Sequence, residues 1–226
     1  MQGSAPLDQI MSIPGNALET YAPLPYPRFR AEVRDGDVFL CQGRDPFSRL
    51  IQWSTGSPWS HTGLVFRIES LDREIVIEAV EKIGVRAVSL EDFLSRDSEG
   101  TSPYPGKILL ARHDLLGGET SRAVRDLAKF AFEHLGCKFA PADIARIALR
   151  IVDARVFGNR STPKPLLTED KFICSEFVAA AYERAALRIP WDGLGFVAPC
   201  DIADDPHLHP VAQADVDHPP HPPEKR

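Results

Sequence analysis

Three side chains in this 226-residue chain have the chemistry of a covalent hydrolase: a thiol at Cys174, an imidazole at His61 and a carboxylate at Glu78. A thiol becomes a strong nucleophile as its thiolate, an imidazole beside it holds and returns the proton, and a third polar group orients the ring. Cys174 lies in the stretch "KFICSEFVAAAYER", where Cys174, Phe177, Val178, Ala181 and Ala185 keep the spacing of one helix face. A thiol in the first turn of a helix is near unpaired backbone N–H groups and the positive end of the dipole, both of which favour thiolate. The same N–H groups can hold an oxyanion. Ser175, next to the thiol, and Ser60, next to the imidazole, are the accompanying candidates for an oxyanion or substrate site. The plainer reading of Cys174 is a small hydrophobe on the buried stripe of its helix.

His61 and Glu78 are brought together by a predicted β-hairpin. "HTGLVFRI" (61–68) and "REIVIEAV" (73–80) are strand-like, and the polar "ESLD" between them makes the turn. If residues 67 and 72 pair at that turn, opposed residues sum to 139 and His61 stands across from Glu78. Opposed side chains share a face, with Cβ atoms about 4.5–5.5 Å apart. A register slip of one residue would part them. Taken alone, His61 reads first as a satisfied histidine at a strand start. Glu78, inside "IVIEAV", is costly to bury without a partner.

The elements that must position these groups follow from patterning. "RDGDVFLCQG" reads as a turn and a buried strand, Phe47, Leu50 and Ile51 as a helical turn, and "GVRAVSLEDFL" as a short strand and a helical turn. "KILLAR" is a buried strand. "ETSRAVRDLAKFAFEHLGC" is an amphipathic helix with Val124, Leu127, Ala128, Ala131 and Leu135 on one face and Gly136 as its stop. A second, arginine-flanked helix is expected over 141–157. Its ordinary role is packing with a solvated basic face, and its other role a weak pointer to a membrane surface or acidic partner. "GFVAPCDIADDPHLHPV" closes the fold as a strand and turn. This divides the chain into an extended proline-rich arm (1–30), one domain (31–212, with a variable helical or loop insertion at 141–165) and a disordered Pro/His tail (213–226).

Composition bounds the function. With 43% hydrophobic and 26% charged residues the chain can bury a real core. A formal net charge of −6 and the lack of a dense basic stripe argue against a nucleic-acid partner. The four cysteines, at 41, 137, 174 and 200, have neither disulfide-like nor zinc-like spacing, and none of the seven histidines has ligand spacing, so neither metal nor cofactor is expected. No run reaches the roughly 18 apolar residues of a membrane span. The N-terminus has no basic region followed by an apolar core. The expectation is a cytoplasmic protein, with a specialised secretion route left open.

"GDVFLCQG", "STGSPWSHTGLVF", "IVIEAV", "FICSEFVAAAY" and "FVAPCDIADDPHLHPV" resemble, in that order, the landmarks of the YiiX/YebB-like permuted papain-fold cysteine hydrolases of the NlpC-related superfamily. The resemblance runs over about residues 33–212, and "SHTGLV" and "CSEFVAAAY" are its most specific pieces. Histidine precedes cysteine here, the order of the permuted branch. The resemblance implies an α+β, circularly permuted papain-like fold, in which a small antiparallel sheet packs against helices that include the nucleophile helix. It maps Cys174 to the nucleophile, His61 to the general base and Glu78 to the residue orienting it. It implies cleavage of an amide or acyl bond through a thioester, with a peptide, a peptidoglycan fragment or a lipid as substrate. The alternatives are a lipid-directed acyltransferase and a non-catalytic binding module on the same fold. The pattern departs at "LGCKFAP": relatives often carry a tyrosine there, this chain has Lys138-Phe139, and Tyr182, two turns into the cysteine helix, is not an obvious replacement.

Overall fold

A computed structural model describes residues 13, 15–96, 104–118, 121–139, 171–190 and 197–220. The expected helix over 141–157, and the insertion around it, lie outside the described residues. Among the described residues nine strands are present: β1 (Pro23–Leu24), β2 (Asp37–Gly43), β3 (His61–Ile68), β4 (Arg73–Val80), β5 (Gly84–Ser89), β6 (Gly106–His113), β7 (Lys138–Phe139), β8 (Lys171–Phe172) and β9 (Leu208–Ala214). Seven form one sheet in the order β1-β9-β6-β2-β3-β4-β5, antiparallel except for the parallel β1–β9 edge; β7 and β8 make a separate parallel pair. The helices are α1 (Ala17–Thr20), α2 (Tyr26–Glu32), α3 (Pro46–Thr55), α4 (Leu90–Ser95), α5 (Arg122–Glu133), α6 (Cys174–Arg184) and α7 (Pro199–Ala203).

The sheet is covered on both faces. Strand alternation sends Val38, Leu40, Leu64 and Ile77 to one side, where they pack with Leu127 of α5 and Phe177, Val178 and Ala181 of α6. Phe39, Cys41, Val65 and Val76 point the other way, onto Phe29 of α2 and Phe93 and Leu94 of α4. This explains why β2 and β3 read as continuous apolar runs rather than alternating ones: both faces of these central strands are buried.

The proline-rich arm was expected to be extended, but its described part is not so throughout. Pro23-Leu24 pairs with β9, and Tyr26–Glu32 is helical, started by Pro27 within its first turn and anchored by Phe29, which is 1% exposed. At the other end β9 runs to Ala214, so the ordered chain extends past the expected boundary at 213. His209 lies in this strand, and His207, just before it, pairs with Asp114. Before β9 stands the short helix α7, where only a strand and turn were expected. Helix α5 begins at a Ser121 cap whose hydroxyl accepts from the Val124 N–H; it ends at Glu133, which leaves Leu135 beyond the helix and 39% exposed.

Candidate active site

The hairpin forms with the expected strands but another register. Leu64 pairs with Ile77 and Ile68 with Arg73, so opposed residues sum to 141 rather than 139. The reason is the turn: Glu69–Leu71 form a 3-10 turn closed by Asp72 in the left-handed region, so all four loop residues stay outside the ladder. Carried to its end, this register sets Gly63 across from Glu78. A two-residue offset preserves the face. His61 and Glu78 therefore meet on the diagonal, with His61 Nε2 and Glu78 Oε2 2.6 Å apart.

Gly63 makes that diagonal possible. A Cβ there would overlap the Phe39 ring and come within 2.9 Å of the Ile77 carbonyl oxygen. The Phe39 ring lies 5.8 Å from the imidazole, centroid to centroid, and supports it from beneath. Glu78 is 2% exposed and fully engaged: Oε2 faces His61, and Oε1 accepts from Arg86 Nε (2.9 Å) and Nη2 (2.6 Å). Arg86 stands directly across from Glu78 on β5.

Helix α6 packs on the opposite face of the sheet from His61, so the thiol has to come around the start of β3. Its place as first helical residue allows this. Cys174 is 9% exposed and lies within hydrogen-bonding reach of His61, with the backbone N–H groups of Thr62 and Ser175 also directed to the sulfur. Because Nε2 is taken by Glu78, Nδ1 is the ring nitrogen left for the thiol. The N-cap residue Ile173 offers no side-chain cap, which keeps the first N–H groups of the helix available.

Electrostatics follow from this contact. Burial pushes the Cys174 thiol up, but the imidazolium of His61 and the two backbone N–H groups outweigh it and hold the thiol below its ordinary value. Burial pushes His61 down, yet the Cys174 thiolate and Glu78 carboxylate outweigh it and raise the imidazole to about 10. Glu78 would be raised by burial, but His61 and Arg86 keep its carboxyl below the usual range. The arrangement can hold a thiolate–imidazolium pair backed by a carboxylate.

The three groups open into a cleft of about 510 Å³. Phe47 and Ile51 of α3, Ile83 and Phe93 give it apolar walls. Ser60 borders the cleft, but its hydroxyl donates to the Cys41 carbonyl and accepts from the Gly43 N–H, tying β2 to the start of β3. Ser175 is fully buried and its hydroxyl donates to the Val197 carbonyl at 2.6 Å, so what it presents to the thiol is its N–H. The cleft also holds Tyr104, a tyrosine that sequence reasoning passed over; burial, the Cys41 thiol and nearby carboxylates keep its phenol well above the usual range. Tyr182, by contrast, is buried beside His113 and does not line the cleft. Arg86 was missed because an arginine in a short strand has no motif; its partner across the ladder is the signal that could have found it.

Residues 32–141 match the profile of a family described as permuted papain-like amidase enzyme, YaeF/YiiX, C92 family. The matched segment contains His61, Glu78 and Arg86 and ends before Cys174. Among solved structures, the chain is similar to the crystal structure of the metalloprotein yiiX from Escherichia coli O157:H7, with a TM-score of 0.56 and 21% identity, covering 80% of this chain and 97% of that one. Comparison with curated proteins finds no match. Together the profile and the structural likeness show the fold expected from the sequence: α+β, of the permuted papain-like type. Among the described residues, no three His, Cys, Asp or Glu side chains are grouped to hold a metal ion, and no helix is long and apolar enough to cross a membrane.

Proposed function

We propose that this protein is a cysteine hydrolase of the amidase type, with Cys174 as nucleophile, His61 as general acid and base, and Glu78 as the group that orients His61. The observation that carries the reading is the unbroken contact from Glu78 through His61 to Cys174 in one open cleft. The Cys174 thiolate attacks the carbonyl carbon of an amide or ester, forming a C–S bond and an oxyanion beside the N–H groups at the head of α6. Collapse breaks the bond to the leaving amine or alcohol, which takes the proton held by His61. Water then gives a proton to His61 and its oxygen to the thioester, releasing the acid and restoring the thiolate–imidazolium pair. The apolar walls of the cleft suit a substrate whose acyl side is apolar.

The test is alkylation of the native protein by iodoacetamide across pH, read at each of the four cysteines by mass spectrometry. Cys174 should react far faster than Cys41, Cys137 and Cys200 below pH 7 and lose that advantage in His61→Ala. Equal reactivity at Cys174 and Cys137 would leave a non-catalytic binding module as the better description.

A further inference from the structure

We propose that Arg86 is a positioning residue of this site: it clamps Glu78 so that a single carboxylate oxygen faces His61, and keeps that carboxylate charged in a buried position. The inference rests on the hydrolase reading above and adds a fourth member to its machinery. Arg86 donates twice to the same oxygen, from Nε at 2.9 Å and Nη2 at 2.6 Å, leaving Oε2 for His61. Two charge-assisted N–H donors converging on one oxygen hold that oxygen in place. The pairing is built into the sheet, since Arg86 and Glu78 are direct partners in the β4–β5 ladder. Without Arg86, a carboxylate 2% exposed would face the protein interior with His61 alone as counter-charge.

Other ionisable groups approach Glu78 or the cleft from each neighbouring element. They are Cys41 on β2, Asp45 at the head of α3, Arg96 after α4, Tyr104 before β6, and Glu81 and Lys82 in the β4–β5 turn. Glu176 lies in the first turn of α6 itself. Asp45 is itself a carboxylate, an acceptor for Ser48, and Arg96 is engaged with Asp92, so neither replaces Arg86 as the donor at Oε1. The consequence has one sign by either route. If Glu78 stays ionised after Arg86 is lost, its carboxylate is no longer held with one oxygen on His61, so the imidazolium is less well placed and the thiol is harder to ionise. If Glu78 takes a proton instead, His61 loses its counter-charge, and the imidazolium that stabilises the thiolate weakens.

The experiment is a double-mutant cycle on the full chain, read as the pH midpoint of iodoacetamide alkylation at Cys174. Wild-type selectivity for Cys174 below pH 7 is the internal control; its absence sinks the hydrolase reading and this inference with it. With the control in place, Arg86→Met should raise the midpoint by about one unit, a roughly tenfold loss of thiolate on the acidic side. Arg86→Lys, which restores the charge, should return the midpoint most of the way. In a Glu78→Gln background Arg86→Met should add no further shift, because the residue it acts through is already neutral. An unchanged midpoint in Arg86→Met, with wild-type selectivity intact, overturns the proposal. So does an equal shift in both backgrounds, which would make Arg86 a distant charge acting directly on the thiol. If Arg86→Met does not fold, Arg86→Gln is read in the same cycle. A purely structural arginine would lower the melting temperature without moving the midpoint.

Discussion

The chemistry of the site lives in the coupling of two ionisable groups, each of which burial alone would neutralise. Cys174 and His61 reverse that penalty by charging together, and Glu78 supports the cation from the far side of the ring. Because His61 is raised from its ordinary 6.5 to about 10, its charged contacts stabilise the fold fully below the ordinary histidine range and are lost as pH rises through about 10. The stability difference between wild type and His61→Ala, measured by urea melts, should therefore narrow as pH rises from about 6.5 to about 10. Glu78→Gln should bring the His61 midpoint, followed by NMR of the imidazole, down from about 10 towards 6.5. It should also raise the Cys174 alkylation midpoint. An unmoved His61 midpoint would mean that Glu78 is not its charge partner. The sequence offered all three as candidates: a thiol at a helix start and a carboxylate inside an apolar strand each violate local expectation, and the family resemblance joined His61 to them. Arg86 violated none, and so it went unnoticed.

At the scale of elements, the hairpin β3–β4 and the start of α6 carry the site. Gly63 is the position on which their geometry depends, for the Phe39 ring and the Ile77 carbonyl occupy the space a side chain would need. Gly63→Ala should cost about 1–3 kcal/mol in a denaturant melt. It should also blunt Cys174 alkylation, since pushing Phe39 aside moves the ring beneath His61. A Gly63→Ala protein with unchanged thiol reactivity would show that this support is dispensable. Helix α6 holds a second testable feature. The Tyr182 hydroxyl is buried with no hydrogen-bond partner among the described residues, while its ring packs against His113. Tyr182→Phe removes an unpaired polar group at constant shape and should leave stability unchanged or raise it by about 1 kcal/mol in a thermal melt, with the alkylation midpoint unmoved. The strands of the hairpin were legible to the residue, because apolar runs bounded by polar turns are strong local signals. The register was not, because a four-residue loop admits several closures and only the 3-10 turn with Asp72 in a left-handed conformation selects one.

At the scale of the whole molecule, the sheet separates chemistry from scaffolding. The site occupies the end of β2 and the start of β3, whereas the start of β2 and the end of β6 are joined by Arg112, which donates from Nε and Nη2 to Asp37 and from Nη2 to the Glu32 carbonyl. Asp37 is 1% exposed, and its burial outweighs Arg112 and lifts its carboxyl above the usual range. Arg112→Met should destabilise the fold by about 3 kcal/mol near pH 8 and by less near pH 4, where the orphaned carboxyl can accept a proton. Cys174 alkylation should keep its midpoint in that variant; a shift would show that the two ends of the sheet are coupled. What the sequence by itself determined is the set of chemical groups, the strands and helices nearest them, and the order in which they occur, all properties of residue type and short-range spacing. The short helices flanking the sheet, α2 and α7, were not read in advance, because their brief apolar signals take meaning only from the surfaces they cover. Only the tertiary structure decided the diagonal pairing of His61 with Glu78, the capture of Glu78 by Arg86, and the meeting of Cys174 with an imidazole on the far face of the sheet. Those contacts join residues 8 to 113 positions apart in the chain, and no local pattern encodes them; they arise when burial of both faces of β2 and β3 forces helix and hairpin to share one edge of the cleft.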